Sequence, residues 1–205
     1  AKHGVKIVQK YFETYEAEAA LSDKHAGVIE LSSGDSVGAT PPISNFFGDT
    51  PTIELMNLMG FQLDGLGNHN FDRGSSYLRT ELIPMADFPY LSANAVYASN
   101  GKLPSEWKAS QVYQFDGFKL GVVGYTLPEL STLIFPGYLD PFKVTDPATK
   151  ASTPGSLPKR SQWAAHSART TGSSGEMSLG AMSQVGSVIS YTKSGSPAAA
   201  PRMRS

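Results

Sequence analysis

Cysteine is absent from this chain, which excludes disulfide bonds and thiolate metal ligands and leaves the cellular compartment open. Long apolar runs are also missing: no stretch approaches the roughly 18 consecutive apolar residues of a membrane span. No cationic start followed by an apolar segment is visible, so the sequence shows no signal peptide. Charged residues make up only 17% of the 205 residues. That length is sufficient for one domain with a hydrophobic core.

Acidic residues nearly disappear from the last quarter of the chain. Residues 1–150 carry 11 Lys or Arg and 17 Asp or Glu, whereas residues 151–205 carry 6 basic residues and one acid, Glu176. The later segment has 13 serines, many Ala, Gly and Pro, and scarcely any apolar periodicity. Because such a segment cannot bury enough surface to offset its ordering entropy, we expect a disordered low-complexity tail. A domain boundary is therefore predicted near Ala151.

Several classes of function lack their motifs. Gly65-Leu66-Gly67 is too short for a dinucleotide-binding fingerprint, and no Gly-Lys-Ser/Thr element of a P-loop is present. No serine lies in a Gly-x-Ser-x-Gly elbow. The basic residues of the tail have no interleaved aromatic side chains, so no nucleic-acid partner is expected.

Apolar periodicity and turn residues predict the elements of the first 126 residues. The predicted helices are 4–20, 51–59 and 75–83, the second with a cap at Asp49 and the third ended by Pro84. The predicted strands are 27–31, 61–66, a start at 88–92, and a hairpin of 111–115 and 119–125 around Asp116-Gly117. Strands alternating with helices imply parallel pairing, and the hairpin adds antiparallel members. The expected fold class is α/β with mixed sheets.

Two polar loops follow the ends of predicted strands. Gly34-Asp35-Ser36 follows the strand at 27–31, and Gly67-Asn68-His69 follows the strand at 61–66. Ligand sites of open α/β sheets lie at this carboxyl edge. The Asp35 carboxylate can bridge two cations, and Asn68 offers an amide oxygen as a ligand. Taken alone, Asp35 is equally a loop or helix cap and Asn68 a turn residue.

His69 and Asp72 form a second candidate pair. An imidazole at this loop can contact a phosphate or leaving oxygen as charge builds during in-line displacement. An acid three residues later can hydrogen-bond the ring and set its tautomer. Taken alone, the pair is better explained as a surface histidine with a loop aspartate, and only the two loops together favour the functional interpretation.

Residues 34–74, from Gly-Asp-Ser-Val-Gly to Gly-Asn-His-Asn-Phe-Asp-Arg-Gly, resemble the calcineurin-like metallophosphoesterase domain of the 5′-nucleotidase family. Supporting stretches are 51–57, 88–94 and 120–129, and the similarity covers roughly residues 4–150. The resemblance implies a four-layer α/β/β/α fold, here partial, in which helices flank two packed mixed sheets. It implies export to the periplasm, the cell surface or the exterior.

The resemblance also implies a chemistry. Two divalent metals (Zn, Mn, Mg or Fe) would be bridged by Asp35, with Asn68 on one of them. A metal-bound hydroxide would attack the phosphorus of a nucleoside monophosphate or another phosphomonoester. His69 would stabilise the transition state, oriented by Asp72.

The chain departs from the family pattern at three places. Asn70 replaces a glutamate that is not a metal ligand, so we expect a small effect. The opening Asp-x-His strand is not matched by His3, and the later Gly-His motifs are not matched by His166. We therefore expect an upstream start, and weak or partial metal binding by this chain. Residues 151–205 have the composition of an out-of-frame reading of a GC-rich gene, with a natural tail as the alternative.

Three functions remain open on the sequence alone. The favoured one is nucleotide dephosphorylation. The alternatives are a catalytically inactive fragment or binding remnant of the fold, and a related cyclic-nucleotide phosphodiesterase. The residues that distinguish these substrates lie outside the matched motifs.

Overall fold

The computed structural model describes residues 2–22, 28–115, 118–146, 175–178 and 190–193. Its helices are α1 (Lys2–Ser22), α2 (Pro42–Asn45), α3 (Thr50–Met59), α4 (Gly74–Tyr77), α5 (Ile83–Met85) and α6 (Leu130–Leu133). A 3-10 turn covers His69–Phe71, and a π-helical turn, Leu78–Leu82, joins α4 to α5. Among these residues no helix is long and apolar enough to cross a membrane.

The strands form short pairs of both orientations. They are β1 (Asp64–Gly65), β2 (Tyr90–Leu91), β3 (Ala95–Tyr97), β4 (Ser110–Phe115), β5 (Phe118–Val123), β6 (Phe142–Val144), β7 (Gly175–Ser178) and β8 (Ser190–Lys193). β1 and β2 are parallel, whereas β3–β6, β4–β5 and β7–β8 are antiparallel. Isolated parallel bridges join Leu31 to Leu63 and Leu91 to Lys108. Together with the β1–β2 pair they form one parallel ladder. The predicted α/β class with mixed strands is confirmed.

The ladder separates two apolar clusters because successive side chains of a strand point to opposite faces. Leu63 and Leu91 lie with Val122 on one face, packed against the β4–β5 hairpin. Tyr90 and Leu66 lie on the other face in the main core, which also includes residues of α3, the π-helical turn and the 3-10 turn. The strand ends that precede the two candidate loops are therefore held by apolar packing on both faces of the ladder.

The third predicted helix is longer than expected. Pro84 does not end it: the helical segment runs from Gly74 to Met85. Proline normally stops a helix because it lacks an N–H and its ring clashes with the preceding turn. The π-helical turn widens the segment just before Pro84, with the Ile83 N–H donating to the Leu78 carbonyl. The prediction of an end at Pro84 was therefore wrong.

Other boundaries agree more closely. α3 ends at Gly60, which has a left-handed backbone (φ 84°) and donates its N–H to the Asn57 carbonyl. The β4–β5 hairpin is confirmed, although its predicted turn, Asp116-Gly117, lies outside the described residues. Within the predicted tail only β7 and β8 are described, so the expectation of disorder for the rest of 151–205 lies outside the described residues.

Removing a core side chain under the second loop should destabilise the whole unit. Phe71 is fully buried in the main core, so Phe71→Ala should lower the free energy of unfolding by roughly 3–5 kcal/mol. Phe46 is 84% exposed, and Phe46→Ala is the matched control, with an expected change within about 0.5 kcal/mol. Urea denaturation followed by tryptophan fluorescence measures both. Equal effects of the two variants would contradict this core assignment.

Candidate functional site

The two predicted loops meet at Asp35. Its carboxylate Oδ1 accepts a hydrogen bond from the His69 backbone N–H at 2.8 Å. A Cβ added at Gly67 would overlap the same carboxylate. Asp35 therefore lies against the backbone on both sides of Asn68. The structure therefore brings the Asp35 carboxylate to the backbone of the loop that carries Asn68.

The Asp35 backbone is itself unusual. Its φ of 57° is left-handed, a conformation that costs a non-glycine residue on the order of 1 kcal/mol. Gly34, just before it, has φ 116° and lies so close to Gly67 that a Cβ would lie 3.1 Å from the Gly67 nitrogen. The tight loop thus directs the Asp35 carboxylate toward the second loop, and its strain is held by the contacts between them.

His69 and Asp72 are paired as the sequence suggested. His69 Nδ1 lies 2.7 Å from Asp72 Oδ2, and each side chain is a little over one third exposed at 38% and 35%. Gly38, with φ 88°, approaches the pair so closely that a Cβ there would collide with Asp72 Oδ2 and the His69 carbonyl. Asp72 therefore holds the imidazole, and Gly38 packs against the Asp72 carboxylate and the His69 backbone.

The Asp49 side chain bonds to residues of the first loop, which continues from Gly34 to the start of α3, and does not cap that helix. It occupies the position before the helix, but its side chain makes no cap hydrogen bond. Its buried carboxylate instead accepts the Gly38 N–H at 3.0 Å, the Ser44 hydroxyl at 3.1 Å and the Thr40 hydroxyl. The predicted cap was wrong because the loop folds back and uses both carboxylate oxygens.

Asn70 lies inside the site, although the sequence argument gave it little weight. It is only 2% exposed. Its side-chain Oδ1 accepts the Gly67 N–H at 2.8 Å and the Asp35 N–H at 3.3 Å. Asn70 therefore links the two loops through their backbones.

Asp64 is a second acid that the sequence argument overlooked. It is fully buried on β1, and no described donor meets either carboxylate oxygen with hydrogen-bond geometry. Burial raises the pKa of Asp64 to about 7, helped by the charge of Asp35 and opposed by the nearby Ser32 hydroxyl. The signal was an acid inside an apolar strand between Leu63 and Leu66, where charged side chains are rarely buried unpaired.

The electrostatics of the site favour a positive charge. Burial raises the pKa of Asp35, and the Asp72 carboxylate adds to that rise, while the His69 N–H and imidazole oppose it. Buried acids whose charges are not neutralised have raised pKa values because the anion loses hydration. A cation placed at Asp35 would reverse this effect.

The residues present fit part of a metal site. Asp35 and Asn68 both offer oxygen atoms, which suit Mg²⁺ or Mn²⁺ and also bind Zn²⁺. Across the ranges that the structure describes, no group of three or more His, Cys, Asp or Glu side chains gathers as a ligand set. A tightly bound metal normally needs three or four protein ligands. Asp35 and Asn68 alone are fewer than the ligands that such a site normally has.

Known proteins are similar to this chain over about 58–68% of its length. It is 34% identical over 125 residues to a snake venom 5′-nucleotidase of Gloydius brevicauda, covering 58% of this chain and 21% of the relative. It is 28% identical over 136 residues to the cell wall protein Lmo0130 of Listeria monocytogenes, covering 58% and 17%. It is 27% identical over 152 residues to the endonuclease YhcR of Bacillus subtilis, covering 68% and 12%. No family model matches the sequence.

Solved structures share the fold. The NAD nucleotidase of Haemophilus influenzae superposes with a TM-score of 0.53 at 27% identity, covering 68% of this chain and 24% of that one. The calcineurin-like phosphoesterase YfkN of Bacillus subtilis superposes with a TM-score of 0.56 at 20% identity, covering 70% and 46%.

The fold is that of the calcineurin-like phosphoesterases, in partial form. The resemblance to the 5′-nucleotidase family is also confirmed, by relatives that carry that name and by the NAD nucleotidase structure. The chain spans about a fifth of the length of the curated relatives it matches.

Gly67 should tolerate no side chain. In Gly67→Ala the new methyl group would displace the Asp35 carboxylate and break its bond to the His69 N–H. We expect a loss of roughly 1–3 kcal/mol in unfolding free energy and a large NMR shift of the His69 amide. Gly4→Ala is the control, because a Cβ at Gly4 meets nothing within 4 Å in helix α1. An unchanged His69 amide in Gly67→Ala would refute the close approach.

Asp64 should make stability depend on pH. The unfolded acid titrates near 3.8 and the folded one near 7, so the folded state binds the extra proton between these values. Stability is therefore highest below about pH 4, falls as pH rises, and levels off above about pH 7. Asp64→Asn should remove most of this fall, up to on the order of 4 kcal/mol at pH 8. Thermal unfolding from pH 4 to 8, with exposed Asp87→Asn as control, tests the assignment; parallel curves for wild type and Asp64→Asn would reject it.

Proposed function

We propose that this chain is part of a metal-dependent phosphoesterase that removes phosphate from nucleotides. The observation that carries the proposal is the 2.8 Å contact between Asp35 Oδ1 and the His69 N–H, next to the His69–Asp72 pair. An acid able to hold metal and an oriented imidazole are the parts that metal-assisted phosphoryl transfer requires. Relatives named as nucleotidases support nucleotides as the substrate class.

In this proposal Asp35 and Asn68 hold the metal from opposite loops. The divalent ion, when bound, lowers the pKa of water and neutralises phosphoryl oxygens. Zn²⁺, Mn²⁺, Mg²⁺ and Fe are all compatible with the donor atoms. Binding by this chain is weak or partial, because only two ligands are present among the residues described.

His69 and Asp72 act on the leaving group. With Nδ1 engaged by Asp72 at 2.7 Å, Nε2 is the ring atom left for substrate. The Asp72 carboxylate fixes the ring orientation. The protonated imidazole then donates from Nε2 to the leaving oxygen as negative charge builds there, and transfers its proton to it.

Export of the complete protein is part of the proposal. One relative is named a cell wall protein and another a snake venom enzyme, and both names describe proteins outside the cytoplasm. Residues 151–205 are proposed to be a separate segment, either a natural tail or an out-of-frame reading.

A binding remnant without turnover is the second candidate, and the incomplete ligand set favours it. The two candidates differ in one measurable respect. A remnant binds metal or nucleotide weakly but releases no phosphate.

The proposal predicts weak Mn²⁺ binding that depends on Asp35 and a phosphate release that depends on His69. Asp35→Asn should reduce Mn²⁺ affinity, measured by electron paramagnetic resonance, at least tenfold, whereas exposed Asp87→Asn should not change it. His69→Ala should reduce release of phosphate from AMP or p-nitrophenyl phosphate roughly 10²-fold or more.

Several results would contradict the proposal. Unchanged Mn²⁺ affinity in Asp35→Asn would remove the metal role. Equal hydrolysis by wild type and His69→Ala would remove the acid role. Two tight sites in the unaltered chain would contradict the incomplete ligand set. Cleavage of single-stranded DNA in preference to AMP would instead favour a nuclease, as in the relative named an endonuclease.

A further inference from the structure

We propose that Asn70 is a positioning residue of this site, and that its side-chain carbonyl sets the spacing between the two metal-bearing loops. The inference rests on the proposed function, since the loops it joins carry Asp35 and Asn68. Asn70 itself does not touch substrate or metal in this proposal. It acts through the backbone of the residues that do.

The geometry that supports the proposal is a single acceptor shared by two loops. Asn70 Oδ1 accepts the Gly67 N–H at 2.8 Å, immediately before Asn68, and the Asp35 N–H at 3.3 Å. These partners lie on loops that are more than 30 residues apart in sequence. Because both bonds end on one atom, a change in that atom releases both loops together.

Asp35 is consequently held at both ends. Its N–H donates to Asn70 Oδ1, and its carboxylate Oδ1 accepts from the His69 N–H. Its left-handed backbone (φ 57°) would otherwise relax, because few residues other than glycine remain in that conformation without supporting contacts. Asn70 thus keeps the strained turn that directs the carboxylate toward Gly67.

The second half of the amide separates positioning from simple burial. Asn70 Nδ2 has no hydrogen-bond partner in the part of the chain that the structure describes. Asp at this position would keep the acceptor and remove the unpaired donor. Ala would remove the acceptor. The acceptor, and not the amide as a whole, is therefore the functional group.

Asn94 provides a matched control. It is also a fully buried asparagine that links distant segments: its side chain accepts the Thr126 N–H at 2.8 Å and donates to the Thr145 carbonyl at 2.9 Å. Those segments carry none of the proposed metal ligands. Asn94→Ala should lower thermal stability without a specific effect on the site.

The experiment compares Mn²⁺ affinity and amide hydrogen exchange in the full chain. Asn70→Ala should weaken Mn²⁺ binding at least tenfold and speed exchange at the Gly67 and Asp35 amides at least tenfold. Asn70→Asp should restore both to within about threefold of the unaltered chain. Asn94→Ala, when folded, should leave Mn²⁺ affinity within about twofold.

Each outcome decides the inference. It is overturned if folded Asn70→Ala keeps either Mn²⁺ affinity or slow exchange, or if Asn70→Asp is as impaired as Asn70→Ala. Should Asn70→Ala not fold, Asn70→Leu at low temperature gives the same comparison, because it also removes the acceptor and keeps a side chain of similar size; the amide readout requires no metal. If Asp35→Asn leaves Mn²⁺ affinity unchanged, the proposed function fails; if only Asn70→Ala leaves it unchanged, the positioning role fails.

Discussion

The contact of the Asp35 carboxylate with the backbone of the second loop is the constraint on which the rest of the site depends. It requires three local features at once: a residue without a side chain at Gly67, a left-handed turn at Asp35, and an N–H from His69 aimed at the carboxylate. In an isolated peptide in water, none of these three local arrangements would be stable. The main core beneath the loops, which includes Phe71 and Leu66, holds them in place.

This arrangement buries polar atoms without hydrogen-bond partners, which lowers stability. The buried side-chain atoms without a partner, among the residues that can be described, are both Asp64 carboxylate oxygens, Asn70 Nδ2 and the Tyr90 hydroxyl. Asp64 and Tyr90 are paired in register on neighbouring parallel strands, and burial raises the pKa of Tyr90, with the Asp64 charge adding to the rise. A protein normally leaves few such groups unsatisfied. Their concentration next to one sheet edge is typical of a functional site more than of a core optimised for stability.

Sequence reasoning succeeded where the signal was periodic or confined to one turn. Helix α3 with its Gly60 terminus and the β4–β5 hairpin follow from apolar spacing and glycine placement. Sequence reasoning failed where a side chain could bond to either of two competing partners. The Asp49 carboxylate accepts hydrogen bonds from the loop and not from the start of the helix. A π-helical turn accommodates Pro84, and residue spacing cannot reveal such a turn. Little effect was expected of Asn70 because its position is not that of a metal ligand. Its contribution is a pair of contacts across two loops, which the sequence does not show.

The charges near Asp35 explain why a partial ligand set can still favour a cation. Asp72 and Asp64 each raise a neighbouring pKa through their negative charge, the first at Asp35 and the second at Tyr90, and Asp35 does the same to Asp64. In a partly dehydrated site such repulsion is stronger than in water, because the effective dielectric constant is lower. A cation at Asp35 would lessen the repulsion of its carboxylate with those of Asp64 and Asp72. The same negative field would oppose an anion that approaches Asp35 without a cation.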